Sequence, residues 1–554
     1  MNNPWQAFYH NNSNNIRTDF NDPLYALLDN AAKAHPELLA CVFHNYKITY
    51  KQLQEKAEIF ANNLKQQGLQ KGDRVILMLP NLPQTLIAFW GIIKAGGVVV
   101  FVNPIYTSQE ILYFCQDSKA RFFISITDCY EKIKALIPQA KSIEKYFLTQ
   151  ASDALGFPLN YIQIFKDFFE KKNKVEYNNK TLKFSVLLKG SKRYSAVIND
   201  PKDELALIQY SSGTTGSPKG VMLTHSNLSS DAILTKNMVD SIDINKQNCL
   251  CIIPFFHVYG LNLGLLIPTL IQATIFPMPR FNPTETLNTI EKFKITLFPG
   301  APALYIALLQ HKDLKKHDVS SLKFCISGSA PISVENMQKF KKHFGVDIIE
   351  GYGLSEASPI THLNPFEHHR SGSIGIPILG TEARIVSLEN DSTESLAPNT
   401  EGELIIKGPQ VMKGYWEKPE ESSEALKNGW LYTGDIAVMS EDGFFTIVDR
   451  KKDMVIVGGY NVYPAEVDKV IMTHPKVASA ICVGISHPTR GEILKAFVVL
   501  KPEQELTRED LLSYCRENLA NYKIPRQVEF RTELPQNYLG KMLRRILRDE
   551  EEKK

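Results

Sequence analysis

Along the first two thirds of the chain, stretches with helical spacing of apolar residues alternate with short, nearly continuous apolar runs. "TYKQLQEKAEIFANNLKQQG" (49–68) has the amphipathic helical pattern, while "DRVILMLP" and "GVVVFVNP" are β-rich and bounded by turn residues. That alternation predicts a parallel or mixed sheet covered by helices. From Gly402 the texture becomes dense strands and turns, "GELIIKGP" and then "WLYTGDIAVMSEDGFFTIVDR", with Asp442-Gly443 as a hairpin turn. This pattern predicts a β-rich subdomain over about 372–448. Next comes "DRKKDMVIVGGYNVYP", and beyond it a helix from Pro464, strands "ASAICVGI" and "LKAFVVLK", and a helix from Thr507. The expected class is α/β. A large N-terminal domain (1–448) of helix-covered mixed sheets carries the β-rich subdomain, a connector lies at 449–452, and a small α+β C-terminal domain occupies 453–554.

The 554 residues exceed one ordinary core, and 44% hydrophobic with 22% charged residues is the composition of a globular protein. Net charge is only +3, with Lys and Arg scattered apart from Lys451-Lys452 and Arg544-Arg545, so nucleic acid is not an expected partner and those arginines read as solvated charges. The eight cysteines form no CxxC pair and no zinc-type spacing, and read as reduced, mostly buried thiols. The start, "MNNPWQAFYHNNSNN", has no basic segment followed by an apolar run, which predicts a cytoplasmic protein. Gln247 to Pro279 challenges that, because it contains no Asp, Glu, Lys or Arg and is long enough to cross a bilayer. Pro254, Pro268 and Pro277 divide it and His257, Asn262 and Gln272 interrupt it, so two buried strands around a buried helix fit as well.

The stretch "YSSGTTGSPKG", Tyr210 to Gly220, is where chemistry enters. It fails the Walker A pattern, since Pro218 stands where the second Gly belongs and Gly220 follows Lys219. Its context differs too: "GVMLTH" reads as a further strand, with a helix only from near Ser226. Ser211 and Ser212 invite comparison with a Ser-Ser-Lys amidase, but no matching upstream Lys motif is present. A loop of unencumbered backbone amides with hydroxyls at Ser212, Thr214 and Thr215 and a Lys is suited to a polyphosphate.

Four more stretches, "GYGLSE", "YTGD", "DRKKDMVIVGGYNVYP" and "LPQNYLGKMLRR", come after that loop in order. With all five, the chain resembles the adenylate-forming superfamily of acyl-CoA synthetases, luciferases and peptide-synthetase adenylation domains over nearly its whole length. The resemblance implies that Ser211, Ser212, Gly213, Thr214, Thr215, Gly216 and Lys219 grip the β and γ phosphates of ATP in a loop that moves. It implies that Gly328, Ser329, Ala330 and Pro331 form the adenine wall, and that Gly351, Tyr352, Gly353 and Ser355 contact the nucleotide, with Tyr352 stacking on the base. Glu356, with Thr214, would hold Mg2+. Asp435 would accept the ribose hydroxyls, with Ile447 and Arg450 beside it. The family usually has Thr at the position of Ser355. Lys541 would place the carboxylate for attack on the α-phosphorus. The C-terminal domain would then rotate about Asp449 or Lys451, two pivots between which the sequence does not choose, and Gly458 and Gly459 would line a thiol tunnel. Read singly, Arg450 and Lys541 are surface charges, and Gly458-Gly459 a turn.

His257 in "FFHVYG" matches a position near the substrate carboxylate, and the uncharged run after it, with "LFPGAPALY", could line an acyl tunnel. A buried Asp, which an amino-acid substrate would require, is missing from this run. The wording of "PNLPQTLIAFWGIIKAGG", "LTHSNL", "GPQVMKGYWEKPEES" and "ELPQNYLGKMLRRILRDE" is most similar to bacterial long-chain fatty acid CoA ligases. The implied activity is formation of acyl-AMP from a fatty acid and Mg-ATP, then of acyl-CoA. A separate carrier protein as acceptor, a shorter or aromatic acyl group, and a non-catalytic fatty-acid transporter stay open as alternatives, as do a homodimer and peripheral contact with the inner membrane.

Overall fold

Three sheets form from the chain up to Arg450 and a fourth from the residues beyond it, in a computed structural model that describes residues 3–9, 19–155, 175–190, 197–198, 200–211, 218–239, 242–389, 392–457, 460–487, 491–536 and 542–553. The first has nine strands in the spatial order Ile376–Pro377, Ile360–Leu363, Ile348–Gly353, Phe324–Ser327, Leu297–Gly300, Asn248–Cys251, Thr274–Pro277, Leu39–Phe43, Tyr46–Thr49. The second has eight, in the order Gly414–Tyr415, Lys219–Thr224, Leu205–Ser211, Val98–Phe101, Arg74–Met78, Phe122–Ile126, Lys145–Thr149, Thr181–Lys183. Both are mostly parallel inside; the first is antiparallel at both edges, while the second is antiparallel at the Gly414–Tyr415 edge and parallel at the Thr181–Lys183 edge. Their central strands are apolar at consecutive positions because helices cover both faces; Val75, Ile76, Leu77 and Met78 are all buried.

Helix starts follow side-chain chemistry. Thr49 caps Tyr50–Gln66 and Thr224 caps His225–Asn237, each accepting from the backbone three residues on while that residue's side chain reaches back. Pro83–Ala95 is buried at every position. Lys94 is accommodated there because its ammonium pairs with Asp29 at 2.5 Å and lies 3.7 Å from Glu58.

The uncharged run folds as two buried strands flanking helical turns: Asn248–Cys251, Val258–Leu261, a π-helical turn Asn262–Leu266, Ile267–Leu270 and Thr274–Pro277. No helix among the described residues is long and apolar enough to cross a membrane. A buried carboxylate nevertheless reaches this run from a neighbouring helix. Asp231 Oδ2 accepts from Asn262 Nδ2 and from Ile360 N at 3.3 Å. Burial pushes its carboxyl well up, favouring the neutral acid, which is the opposite of what holding an ammonium requires.

The β-rich sheet contains Glu382–Val386, Gly402–Lys407, Leu426–Lys427, Trp430–Met439 and Phe445–Arg450. Its hairpin turns at Gly443, with φ +89°, where an added Cβ would lie 2.6 Å from Trp5 N. The fourth sheet joins Val455–Val457, Tyr460–Val462, Val477–His487, Gly491–Leu500 and Gln527–Phe530, flanked by helices Pro464–Met472, Arg508–Asn518 and Arg544–Glu552. All eight cysteines are free and buried.

Arg544 corrects the expectation of a solvated charge. Its guanidinium bonds Asp468, its Nε donates to Cys482 O at 2.8 Å, and Asp449 and Asp453 lie 3.5 and 3.7 Å away. Four acceptors from helix Pro464–Met472, strand Val477–His487 and the stretch Asp449–Asp453 converge on it, so the cation is drawn inward. Arg545 is the exposed neighbour, 3.3 Å from Asp549.

Candidate active site

The Ser/Gly-rich stretch connects two antiparallel strands, with Ser211 opposite Lys219 and Tyr210 opposite Gly220. Ser212, Gly213, Thr214, Thr215 and Gly216 lie outside the described residues. Both ends of the loop are braced. Tyr210 donates to the Asp117 carboxylate, Tyr113 OH donates to Pro218 O at 2.7 Å, and Trp416 Nε1 donates to Asp117 O at 3.1 Å.

Tyr352, Asp435 and Arg450 come together from two sheets. Asp435 and Arg450 are opposed on adjacent strands, with Arg450 Nε 3.0 Å from Asp435 Oδ1, and Tyr352 OH donates to Asp435 Oδ2. Asp435 is only 3% exposed, so its carboxylate oxygens find their partners in the guanidinium and the phenol. Burial, and after it the Asp435 carboxylate, push the Tyr352 phenol well up, so it remains a donor. Ile447 sits on the Arg450 strand, opposite Ala437. Gly351 and Gly353 belong to the Tyr352 strand, and a Cβ at Gly353 would stand 2.1 Å from Pro359 O.

Gly328 to Pro331 leave the end of strand Phe324–Ser327, Ser329 adopting φ +72°. Tyr259, two residues after His257, packs beside them. Its OH donates to Gly300 O at 2.8 Å and Ile326 O at 2.9 Å, and its ring would be 3.3 Å from a Cβ at Gly328. His257 stands at the N-terminal boundary of the turn Val258–Leu261, and its side chain makes no capping bond to it. The carbonyl just before it, Phe256 O, accepts from Gln209 Nε2 at 3.0 Å. Gln209 therefore ties the His257 turn to the strand that runs into the Ser/Gly-rich stretch, and sequence reasoning missed it.

Ser355 and Glu356 open a short 3-10 turn. Glu356 Oε1 accepts from Tyr415 OH at 3.0 Å. Among the described residues no cluster of three or more His, Cys, Asp or Glu side chains could hold a metal ion. A lone carboxylate with one oxygen already engaged fits Mg2+ of a nucleotide complex, which takes one or two carboxylates plus phosphate oxygens.

Of the candidate pivots, Asp449 accepts from Arg450 N at 2.7 Å and Ala465 N at 2.8 Å, in addition to facing Arg544. Lys451 Nζ pairs with Glu403 Oε2 at 2.8 Å, and Glu403 Oε1 accepts from Gly434 N at 3.1 Å, next to Asp435. Each is thus tied to a different part of the chain. Gly458, Gly459 and Lys541 lie outside the described residues.

Two mixed sheets, a β-rich annex and a small α+β unit, with a Ser/Gly-rich hairpin on one sheet and a tyrosine, aspartate and arginine cluster drawn from two others, define an adenylate-forming enzyme as the class. The chain belongs to the AMP-binding enzyme family, whose model matches residues 28–416, and the AMP-binding enzyme C-terminal domain matches residues 466–541. It is 42% identical over 556 residues to a long-chain-fatty-acid–CoA ligase of Bacillus subtilis (strain 168), covering 99% of this chain and 98% of the relative. A long-chain-fatty-acid–CoA ligase of Salmonella typhimurium is 38% identical, covering 97% of this chain and 96% of that one. Among solved structures, ATP-bound MatB from Rhodopseudomonas palustris superposes with a TM-score of 0.83 at 28% identity, over 96% of this chain and 99% of that one.

Proposed function

We propose that the chain is an AMP-forming ligase that activates a long-chain fatty acid with ATP and passes the acyl group to CoA. The observation that carries the substrate class is 42% identity to the Bacillus subtilis ligase sustained over 99% of the chain. In the first step a carboxylate oxygen attacks the α-phosphorus, the new P–O bond gives acyl-AMP, and pyrophosphate leaves. In the second the CoA sulfur attacks the acyl carbonyl, the C–S bond forms, and AMP leaves with the oxygen that had joined it to the acyl group.

The chain's own residues divide this work. Asp435, paired with Arg450 at 3.0 Å, accepts the ribose hydroxyls, and Tyr352 lies against the base. The loop from Ser211 to Gly216 and Lys219 hold the departing phosphates, and Lys541 balances charge as the carboxylate approaches. Glu356, with Thr214, would hold Mg2+, which supplies neutralisation of phosphate charge. His257, next to the Phe256 carbonyl that Gln209 holds, orients the acyl carboxylate. Rotation about Asp449 or Lys451 removes Lys541 and brings Gly458 and Gly459 to the thiol. Movement about Asp449 strains its bonds to Ala465 and Arg544, and movement about Lys451 its pair with Glu403.

The test is incubation with Mg-ATP and palmitate, with and without CoA, and mass spectrometry of the products. Palmitoyl-CoA with AMP is expected. Acyl-AMP without thioester would move the acceptor to a carrier protein, and absence of AMP would overturn the reading. Lys541→Ala should abolish acyl-AMP formation while sparing thioester formation from supplied acyl-AMP; equal loss of both steps refutes that assignment.

A further inference from the structure

The segment 412–416 touches both the strand leaving the phosphate loop and the carboxylate at the magnesium position. On one side Gly414 and Tyr415 lie opposite Met222 and Val221 in an antiparallel pair. Lys413 N donates to Met222 O at 3.0 Å and Trp416 N to Gly220 O at 2.7 Å. On the other side Met412 N donates to Glu356 O at 2.8 Å. The backbone of five residues thus spans from the loop's exit to Glu356.

The Tyr415 side chain makes the same connection a second time. Its OH donates to Glu356 Oε1 at 3.0 Å, and the Lys219 ammonium stands 5.2 Å from the centroid of its ring. The tyrosine is itself held, its N–H donating to Ser422 Oγ at 2.8 Å, and Ser422 Oγ donating to Lys418 O at 2.6 Å. A carboxylate with one oxygen fixed by a neutral donor cannot rotate freely, and its other oxygen is directed by that restraint. An ammonium over an aromatic face is attracted to the ring without being neutralised, so its charge stays available to phosphate.

We propose that Tyr415 is a positioning residue for the polyphosphate end of ATP: its hydroxyl sets the rotation of the Glu356 carboxylate and its ring seats the Lys219 ammonium. The inference rests on the adenylating role proposed above and adds to it a residue that touches neither phosphate nor metal.

Two variants of the full chain separate the contacts. Tyr415→Phe removes the hydroxyl and keeps the ring; Tyr415→Leu removes both. Three quantities are measured: Mn2+ affinity in the presence of α,β-methylene-ATP, by electron paramagnetic resonance of free Mn2+; metal-free affinity for that analogue, by calorimetry; and the melting temperature. Tyr415→Phe should weaken Mn2+ binding by roughly tenfold, as expected for a lost hydrogen bond to a charged group, and leave the metal-free affinity within about twofold. Tyr415→Leu should weaken the metal-free affinity as well. Unchanged Mn2+ affinity in Tyr415→Phe overturns the proposal, as does an equal loss of both affinities in that variant, which a merely structural tyrosine would produce with a lowered melting temperature. Wild-type protein that binds the analogue yet forms no AMP with fatty acid removes the adenylating reading, whereas an active wild type with an indistinguishable Tyr415→Phe removes the role of Tyr415 alone.

Discussion

Arg544→Met takes away the one guanidinium that faces Asp468, Asp449 and Asp453 together, and its consequences can be worked out in sign as well as size. The side chains of Arg544, Asp468 and Asp449 are 16%, 10% and 3% exposed. Burial raises Asp468 to about 6 even with Arg544 pulling it down. On the other half of the pair, burial opposes the Arg544 charge, but Asp468, Asp449 and Asp453 outweigh it and hold the guanidinium above its ordinary range. The ion pair is therefore formed at neutral pH, and removing one member of such a pair costs about 3–5 kcal/mol, the lower end applying where water retains some access. In the variant the folded value for Asp468 rises further above its unfolded value near 4. A carboxyl raised on folding costs stability when ionised, above its folded value, and that cost fades as pH falls through it. The destabilisation should thus be largest near pH 8 and shrink toward pH 5.

The assay must report on this region alone, because a chain of several sheets does not melt as one unit and no tryptophan lies beyond Trp430. Hydrogen exchange in the strand Val477–His487 does so, since Cys482 N donates to Asp468 Oδ1 at 2.5 Å and Cys482 O accepts from Arg544. A loss of ~3 kcal/mol is a fall in protection of roughly a hundredfold. Adding Asp468→Asn should restore part of it by removing the stranded charge. Protection unchanged at both pH values, or a loss that grows toward acid, refutes the account.

Gly353→Ala should destabilise by ~2 kcal/mol or more, as a backbone carbonyl 2.1 Å from the new Cβ cannot rotate away like a side chain; a melting temperature and ATP affinity equal to wild type would show that the strand yields. His225 is fully buried, accepts from Leu24 N at 3.1 Å, and is lowered to about 4 by burial. Its contribution is complete above the unfolded value near 6.5 and is lost as pH falls toward 4, by roughly 3 kcal/mol, so His225→Gln should flatten part of the acid limb of an unfolding curve; His362, lowered to about 3, accounts for a further part. Asp435→Asn leaves Arg450 without its ion-pair partner at 3.0 Å and removes the charged acceptor for the ribose, so calorimetry should find ATP binding weakened by roughly tenfold to a hundredfold, and unchanged affinity would sink the ribose assignment.

How far one sequence can be read depends on the kind of information each residue carries. Periodicity exposes Tyr50–Gln66, and the strands Arg74–Met78 and Val98–Phe101 show as short apolar runs bounded by turn residues. Arg544–Glu552, "RRILRDEEE", has Leu547 as its only buried residue, and the π-helical turn Asn262–Leu266 lies in a run apolar on every side. The first offers only a short apolar stripe, Ile546 and Leu547 after Met542 and Leu543, and the second leaves no periodic trace. The site divides along similar lines. Glu356, Asp435 and Arg450 could be singled out because they stand in motifs of recognisable order, and the structure brings Asp435 and Arg450 to 3.0 Å. Gln209, Tyr415 and Arg544 act through another residue, at separations of 47, 59 and 76 positions from Phe256, Glu356 and Asp468 respectively. A single chain cannot announce such a pairing, because nothing in "KGYWEKPEES" distinguishes a tyrosine that holds a carboxylate from one that fills a core. Placing a donor also demands less of residue type than being one, since any hydroxyl or amide of the right reach would serve. Residues that hold others in place therefore carry the weakest sequence signal even where the geometry depends on them, and the fold has to be in hand before their effects can be predicted.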